Sequence, residues 1–179
     1  AIAAAGLVGL MSLFNMGGRF SWASLSDFIG RKNTYFVFMT LGFAMYVTVP
    51  YAGSTGNVVL FVCCFLVIVS MYGGGFSTVP AYLRDLFGTR YVGAIHGILL
   101  TAWSAAGVAG PVLINYIREY NVTHGVPKAQ AYNTTMYIMA GLFIVGFICN
   151  FAIRAVDSKW HMKKATASAQ DNAGAAEVV

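Results

Sequence analysis

The chain has 179 residues, 58% of them hydrophobic and only 9% charged, with a formal net charge of +5. A soluble globular domain carries roughly one-quarter charged residues, so this composition excludes a water-soluble core. A run of about 18 residues with almost no charge is long enough to cross roughly 30 Å of hydrocarbon, and the chain holds five such runs.

They lie at Ala1 to Ser26, Thr34 to Ala52, Val58 to Val79, Val92 to Ile117 and Thr134 to Val156. The runs are apolar on all sides instead of alternating, which predicts helices, because a helix satisfies its backbone groups within one segment. The fold class is therefore all-α, a polytopic transmembrane helical bundle of five spans over residues 1–156. Residues 157–179 are expected to be a disordered tail, since Ala, Ser, Asn and Gly without an apolar period cannot bury enough surface to order themselves. The first run opens at Ala1 with neither an initiator Met nor a charged leader, so truncation at the N-terminus is expected.

Within the first run, Arg19 stands eight positions before Asp27, about 12 Å up the helix. A guanidinium near mid-membrane costs about 2.5–3.5 kcal/mol on insertion scales, so it is expected to face a bundle interior or a watery cavity. Asp27, Asp85, Glu119 and Asp157 all stand at span edges or in connections, which leaves Arg19 without an acid in the spans. An anionic ligand would offset that cost; the alternative is a side chain that snorkels to the interface or binds backbone carbonyls. Asp27 ends this helix, where a carboxylate is disfavoured, and would sit better at a helix N-terminus such as the start of the fourth run near Gly93. Gly30 allows the tight turn that follows, before Arg31 and Lys32.

The third run carries Tyr72, a candidate cavity hydroxyl, beside Gly73, Gly74 and Gly75, which read as either a hinge or a tight helix crossing. In the fourth, His96 is about one turn in, a weak candidate for proton coupling. Trp103 is about 16 Å deep, matching Arg19, where a Trp either lines a cavity or packs against helices. Gly93, Gly97, Thr101 and Ser104 form a small-residue stripe suited to close helix approach. Gly107, Gly110 and Pro111 are expected to loosen or kink the outer half of that span. Cys63, Cys64 and Cys149 lie in apolar spans without metal-ligand spacing and read as packing residues, so no cofactor or metal is expected.

Basic residues fall on alternate connections. One side holds Arg31, Lys32, Arg84, Arg90, Arg154, Lys159, Lys163 and Lys164, and the other only Arg118 and Lys128. This places Ser26 to Asn33, Pro80 to Tyr91 and the tail in the cytoplasm of a cell-membrane, multi-pass protein. The net charge is explained by topology, and no nucleic-acid partner is implied.

The segment from Asn15 to Lys32 resembles the loop signature of the major facilitator superfamily, through Asp27, Gly30, Arg31 and Lys32. Ala23 and Phe28 depart from it, standing where the pattern has Gly and commonly a basic residue. In that family the signature is a conformational latch. A second stretch, Tyr82 to Gly97, resembles the oxalate/formate antiporter-like group, which implies carboxylate substrates. The likeness would make residues 1–156 family helices eight to twelve, with helix seven and the N-terminal half missing as partners. It also implies that Arg19 contacts a substrate carboxylate. Oxalate carriers also place a Lys in helix eleven, but between Val92 and Ile117 there is no basic residue other than His96, which suits a monocarboxylate.

The expected function is alternating-access transport of a small organic anion by exchange or proton symport. Arg19, Trp103 and Tyr72 would form the binding site. Asp27, Gly30, Arg31 and Lys32 would be the latch, with Gly73, Gly74, Gly75, Gly110 and Pro111 as hinge candidates. Efflux of hydrophobic drugs would suit an apolar cavity but leaves Arg19 without a purpose. A non-transporting sensor has little chain for an output domain. Catalysis is set aside because His96, His124 and His161 are dispersed and no nucleophile–base pattern occurs.

Overall fold

The computed structural model describes residues 2–127 and 130–157. Five helices follow in order: α1 Ile2–Ile29, α2 Arg31–Ser54, α3 Val58–Phe87, α4 Val92–Thr123 and α5 Asn133–Ala152. Four of them, α2 to α5, are long and apolar enough to cross a membrane. The first predicted span is present as a 28-residue helix but is not among those four. The expected tail from residue 158 onward lies outside the described residues, as does Lys128.

Local chemistry sets the breaks. Gly30 has φ 87° and separates α1 from α2 by a single residue, a conformation that side chains rarely adopt. At the opposite end Gly56 has φ 67°, and the Asn57 side chain accepts from the Leu60 amide at 3.0 Å to cap α3. Gly88 has φ 76° and ends α3.

Two boundaries differ most from expectation. Pro80 to Tyr91 reads as a connection, yet α3 runs on through Pro80 to Phe87. A proline removes one backbone bond, but the turns beyond it bury Tyr82, Leu83 and Leu86, and that packing outweighs the lost bond. Likewise α4 is continuous through Gly110 and Pro111 and extends to Thr123.

The closest seams join α1 to α3 and α2 to α5, with α3 also against α2. On the first seam, a side chain on Gly18 would strike the Ser70 carbonyl, one on Gly73 the Asn15 carbonyl and one on Gly74 the Trp22 ring. Gly73 and Gly74 are therefore at a tight crossing, whereas Gly75 has open space in front of it. On the second seam, Gly42 lies under Phe143 and Gly146 under Met39. Helix α4 stands apart: it touches only α3 and α5 appreciably and buries none of its residues.

Candidate functional site

At the Gly30 end of the bundle, a polar network ties four helices together. Arg31 begins α2, and its side chain, 15% exposed, hydrogen bonds to Asp27 and Ser26 of α1 and pairs with Asp85 of α3 at 3.7 Å. Asp27 thus pairs with Arg31 and does not cap α4. The N-cap of α4 is Tyr91, without a side-chain cap bond. The i, i+4 spacing across the turn at Gly30 puts the carboxylate within reach of the guanidinium, which is the nearer positive group.

Lys32 donates to the carbonyls of Ile153 at 2.7 Å and Phe151 at 3.3 Å, satisfying acceptors left over at the C-terminus of α5. Behind it, the buried Tyr82 hydroxyl donates to Asn150 Oδ1 at 3.0 Å, and Asn150 Nδ2 donates to the Lys32 carbonyl at 3.2 Å. The chain after α5 returns to α3, where the Val156 amide donates to the Leu86 carbonyl at 3.0 Å. Asp27, Gly30, Arg31 and Lys32 are thus gathered at one end, together with Asp85, Tyr82 and Asn150. Sequence reasoning missed Asp85 and Tyr82 as partners: an acid inside an otherwise basic stretch was the signal for Asp85, and no local signal marked Tyr82. Asn150, an amide inside an apolar run, reads from the sequence as glue between helices, and its bonds to Tyr82 and Lys32 agree with that.

Arg19 sits on the α1–α3 seam by its backbone, whose carbonyl accepts from Ser77 Oγ at 3.1 Å. Its side chain runs past Gly73 and the residue is exposed, with no ion pair among the described residues. The seam around it is polar: Asn15 Nδ2 donates to the Val69 carbonyl at 3.4 Å, and Trp22 Nε1 to Ser70 Oγ at 3.3 Å.

Another face of α3 opens on a cavity of about 340 Å³ shared with α2, α4 and α5. Tyr72, Gly75, Phe76 and Val79 present one helical face to it, and Tyr35, Phe38, His96 and Trp103 face them. Phe76 meets Trp103 edge-on at 5.1 Å and Tyr72 at 5.6 Å, so the two aromatic residues expected at the site share one wall through a third. Arg19 does not line this cavity. The structure therefore brings Tyr72 and Trp103 together, and places Arg19 on the seam that α3 makes with α1. Gly110, in the outer half of α4, has nothing within 4 Å of where a Cβ would stand, and Pro111 is exposed beside it.

The family model of the Major Facilitator Superfamily matches residues 1–111. Among curated proteins, the chain is 29% identical over 103 residues to the oxalate:formate antiporter of Oxalobacter formigenes, covering 58% of this chain and 24% of that one. It is 29% identical over 125 residues to apicoplast pyruvate carrier 2 of Toxoplasma gondii, covering 69% and 18%. It is 30% identical over 153 residues to probable inorganic phosphate transporter 1-6 of Arabidopsis thaliana, covering 79% and 27%. The matches thus span about a quarter of those relatives' length or less. No solved structure gives a significant match.

Proposed function

The chain belongs to the Major Facilitator Superfamily, and we propose that it is part of a secondary carrier for a small organic anion, such as a monocarboxylate, working by alternating access as exchanger or proton symporter. The observation that carries this reading is Arg19: a cation within the first apolar run, exposed on its helix and without an acidic partner among the described residues. A guanidinium without an acidic partner in a membrane-spanning run gains most from a planar carboxylate, which it can meet with two parallel hydrogen bonds. The relatives named for oxalate and formate, for pyruvate and for phosphate are all carriers of anions, which supports the class of cargo.

In this proposal Tyr72 and Trp103, each half-exposed, flank the apolar part of the substrate. Asp27, Gly30, Arg31 and Lys32 hold one conformer at the basic end. The partner surfaces are the lipid bilayer and the remaining half of the carrier. The basic end and the tail face the cytoplasm of a cell membrane, following the distribution of Lys and Arg.

The test is uptake and counterflow of a radiolabelled carboxylate panel by the intact carrier in proteoliposomes. Saturable transport of one carboxylate, reduced at least about a hundredfold in Arg19→Ala and partly retained in Arg19→Lys, is the expected result. Undiminished carboxylate transport by folded Arg19→Ala, or none by the parent protein, overturns the reading.

A further inference from the structure

The cavity between α2, α3, α4 and α5 has a chemistry of its own. Its volume, about 340 Å³, is at the small end of ligand pockets. No Lys, Arg, Asp or Glu among the described residues lines it, so an anion entering it would lose its hydration without gaining a counter-charge. Aromatic rings from all four helices line it, including Tyr35 and Phe38 of α2, Phe76 of α3, Trp103 of α4 and Phe143 of α5. Edge-to-face contacts already hold Phe76 against Trp103 and Tyr35 against Phe38, leaving walls suited to a flat ring.

Three polar side chains in the lining, Tyr46, Tyr72 and His96, make no hydrogen bond among the described residues, and of these His96 has a ring nitrogen buried without a partner. His96 makes no hydrogen bond among the described residues, and its Nδ1 is shut off from solvent. The imidazole therefore carries hydrogen-bonding capacity that no described residue fills. Tyr35, by contrast, is engaged, donating to the Gly75 carbonyl at 3.1 Å and accepting from Thr78 at 3.3 Å. Gly75 lines the cavity with nothing within 4 Å of where a Cβ would stand.

We propose that this cavity is a binding site for an uncharged aromatic molecule of one or two rings bearing a single hydroxyl, which hydrogen bonds to the His96 imidazole. Arg19 is not in its lining, so the proposal stands without the anion reading, with which it shares Tyr72 and Trp103. Its consequence falls on α4, which supplies His96, Leu99, Leu100 and Trp103 to the wall yet buries no residue of its own. A ring seated there adds the contact that fastens α4 to α2 and α3.

The experiment uses the full chain in lipid nanodiscs with 2-naphthol as probe and naphthalene as the analogue lacking the hydroxyl. Binding is measured by equilibrium dialysis against empty nanodiscs, and backbone hydrogen exchange is followed over residues 92–104. The expected result is saturable 2-naphthol binding that slows exchange in that segment and is about fivefold tighter than naphthalene. His96→Leu should erase the difference between the two probes, and Gly75→Leu, by filling the space, should weaken both about tenfold or more. Gly75→Ala, which has room for its methyl, gives a smaller loss and serves if the leucine variant does not fold. Probe uptake no greater than that of empty nanodiscs, binding unchanged by His96→Leu and the Gly75 variants, or quenching of Trp103 by brominated acyl chains that 2-naphthol does not relieve, overturns the proposal; the last would make the occupant a lipid tail.

Discussion

Two stretches of this chain carry the same small-residue signal and meet different fates. Around the α1–α3 seam, Gly18, Gly73 and Gly74 lie so close to the facing helix that no side chain fits. Along α4, Gly93 and Gly97 sit at a four-residue spacing and face open space. In lipid there is little hydrophobic drive between helices, so association depends on close packing and on hydrogen bonds across the contact. The seam has both, through Asn15 to Val69, Trp22 to Ser70 and Ser77 to Arg19. Helix α4 offers the small residues, and among the described residues none packs onto Gly93 or Gly97. Small residues make close approach possible; a facing polar partner makes it happen.

Substitutions across the two regions grade that contrast. The largest effect is expected for Gly74→Leu, which forces a branched side chain into the Trp22 ring and should cost about 3 kcal/mol in SDS-titrated unfolding. A loss below about 1 kcal/mol would mean that the seam is looser than its geometry. Asn150→Leu comes next, at about 2 kcal/mol by the same titration, because it strands the buried Tyr82 hydroxyl and the Lys32 carbonyl. If Tyr82→Phe added to Asn150→Leu a second loss of similar size, the two would not be acting as one network.

Arg31→Gln should cost about 1 kcal/mol, and that loss should shrink in high salt, since Asp27 and Asp85 are both well exposed. Salt-independent destabilisation would assign Arg31 a packing role instead. Gly97→Ala should change stability by less than about 0.5 kcal/mol, in either direction. A clear destabilisation there, read from the same unfolding curve, would show that a further helix closes on the α4 stripe in the intact protein.

The basic end shows how far a local pattern reaches. Asp27, Gly30, Arg31 and Lys32 stand out in the sequence as a motif, and the positive φ at Gly30 agrees with the turn expected there. Which residues they pair with does not stand out, because Asp85, Asn150 and Ile153 come from positions far along the chain that only folding brings near. The expectation that Asp27 reaches the start of α4 fails for a related reason. A general preference of carboxylates for helix N-termini is outweighed by Arg31, which lies within hydrogen-bonding distance.

By itself the sequence determined the helical class, the positions of the apolar runs and the alternation of basic ends. These follow from hydropathy and charge, which act residue by residue against the bilayer. Only the tertiary structure decided which face of α3 meets α1 and which opens on the cavity, that Tyr72 and Trp103 share a wall while Arg19 does not line it, and that α3 continues past Pro80. Those outcomes depend on the rotation of one helix against another. That rotation is set by contacts between residues distant in the chain, and runs that are apolar on every side carry no periodic signal to announce it.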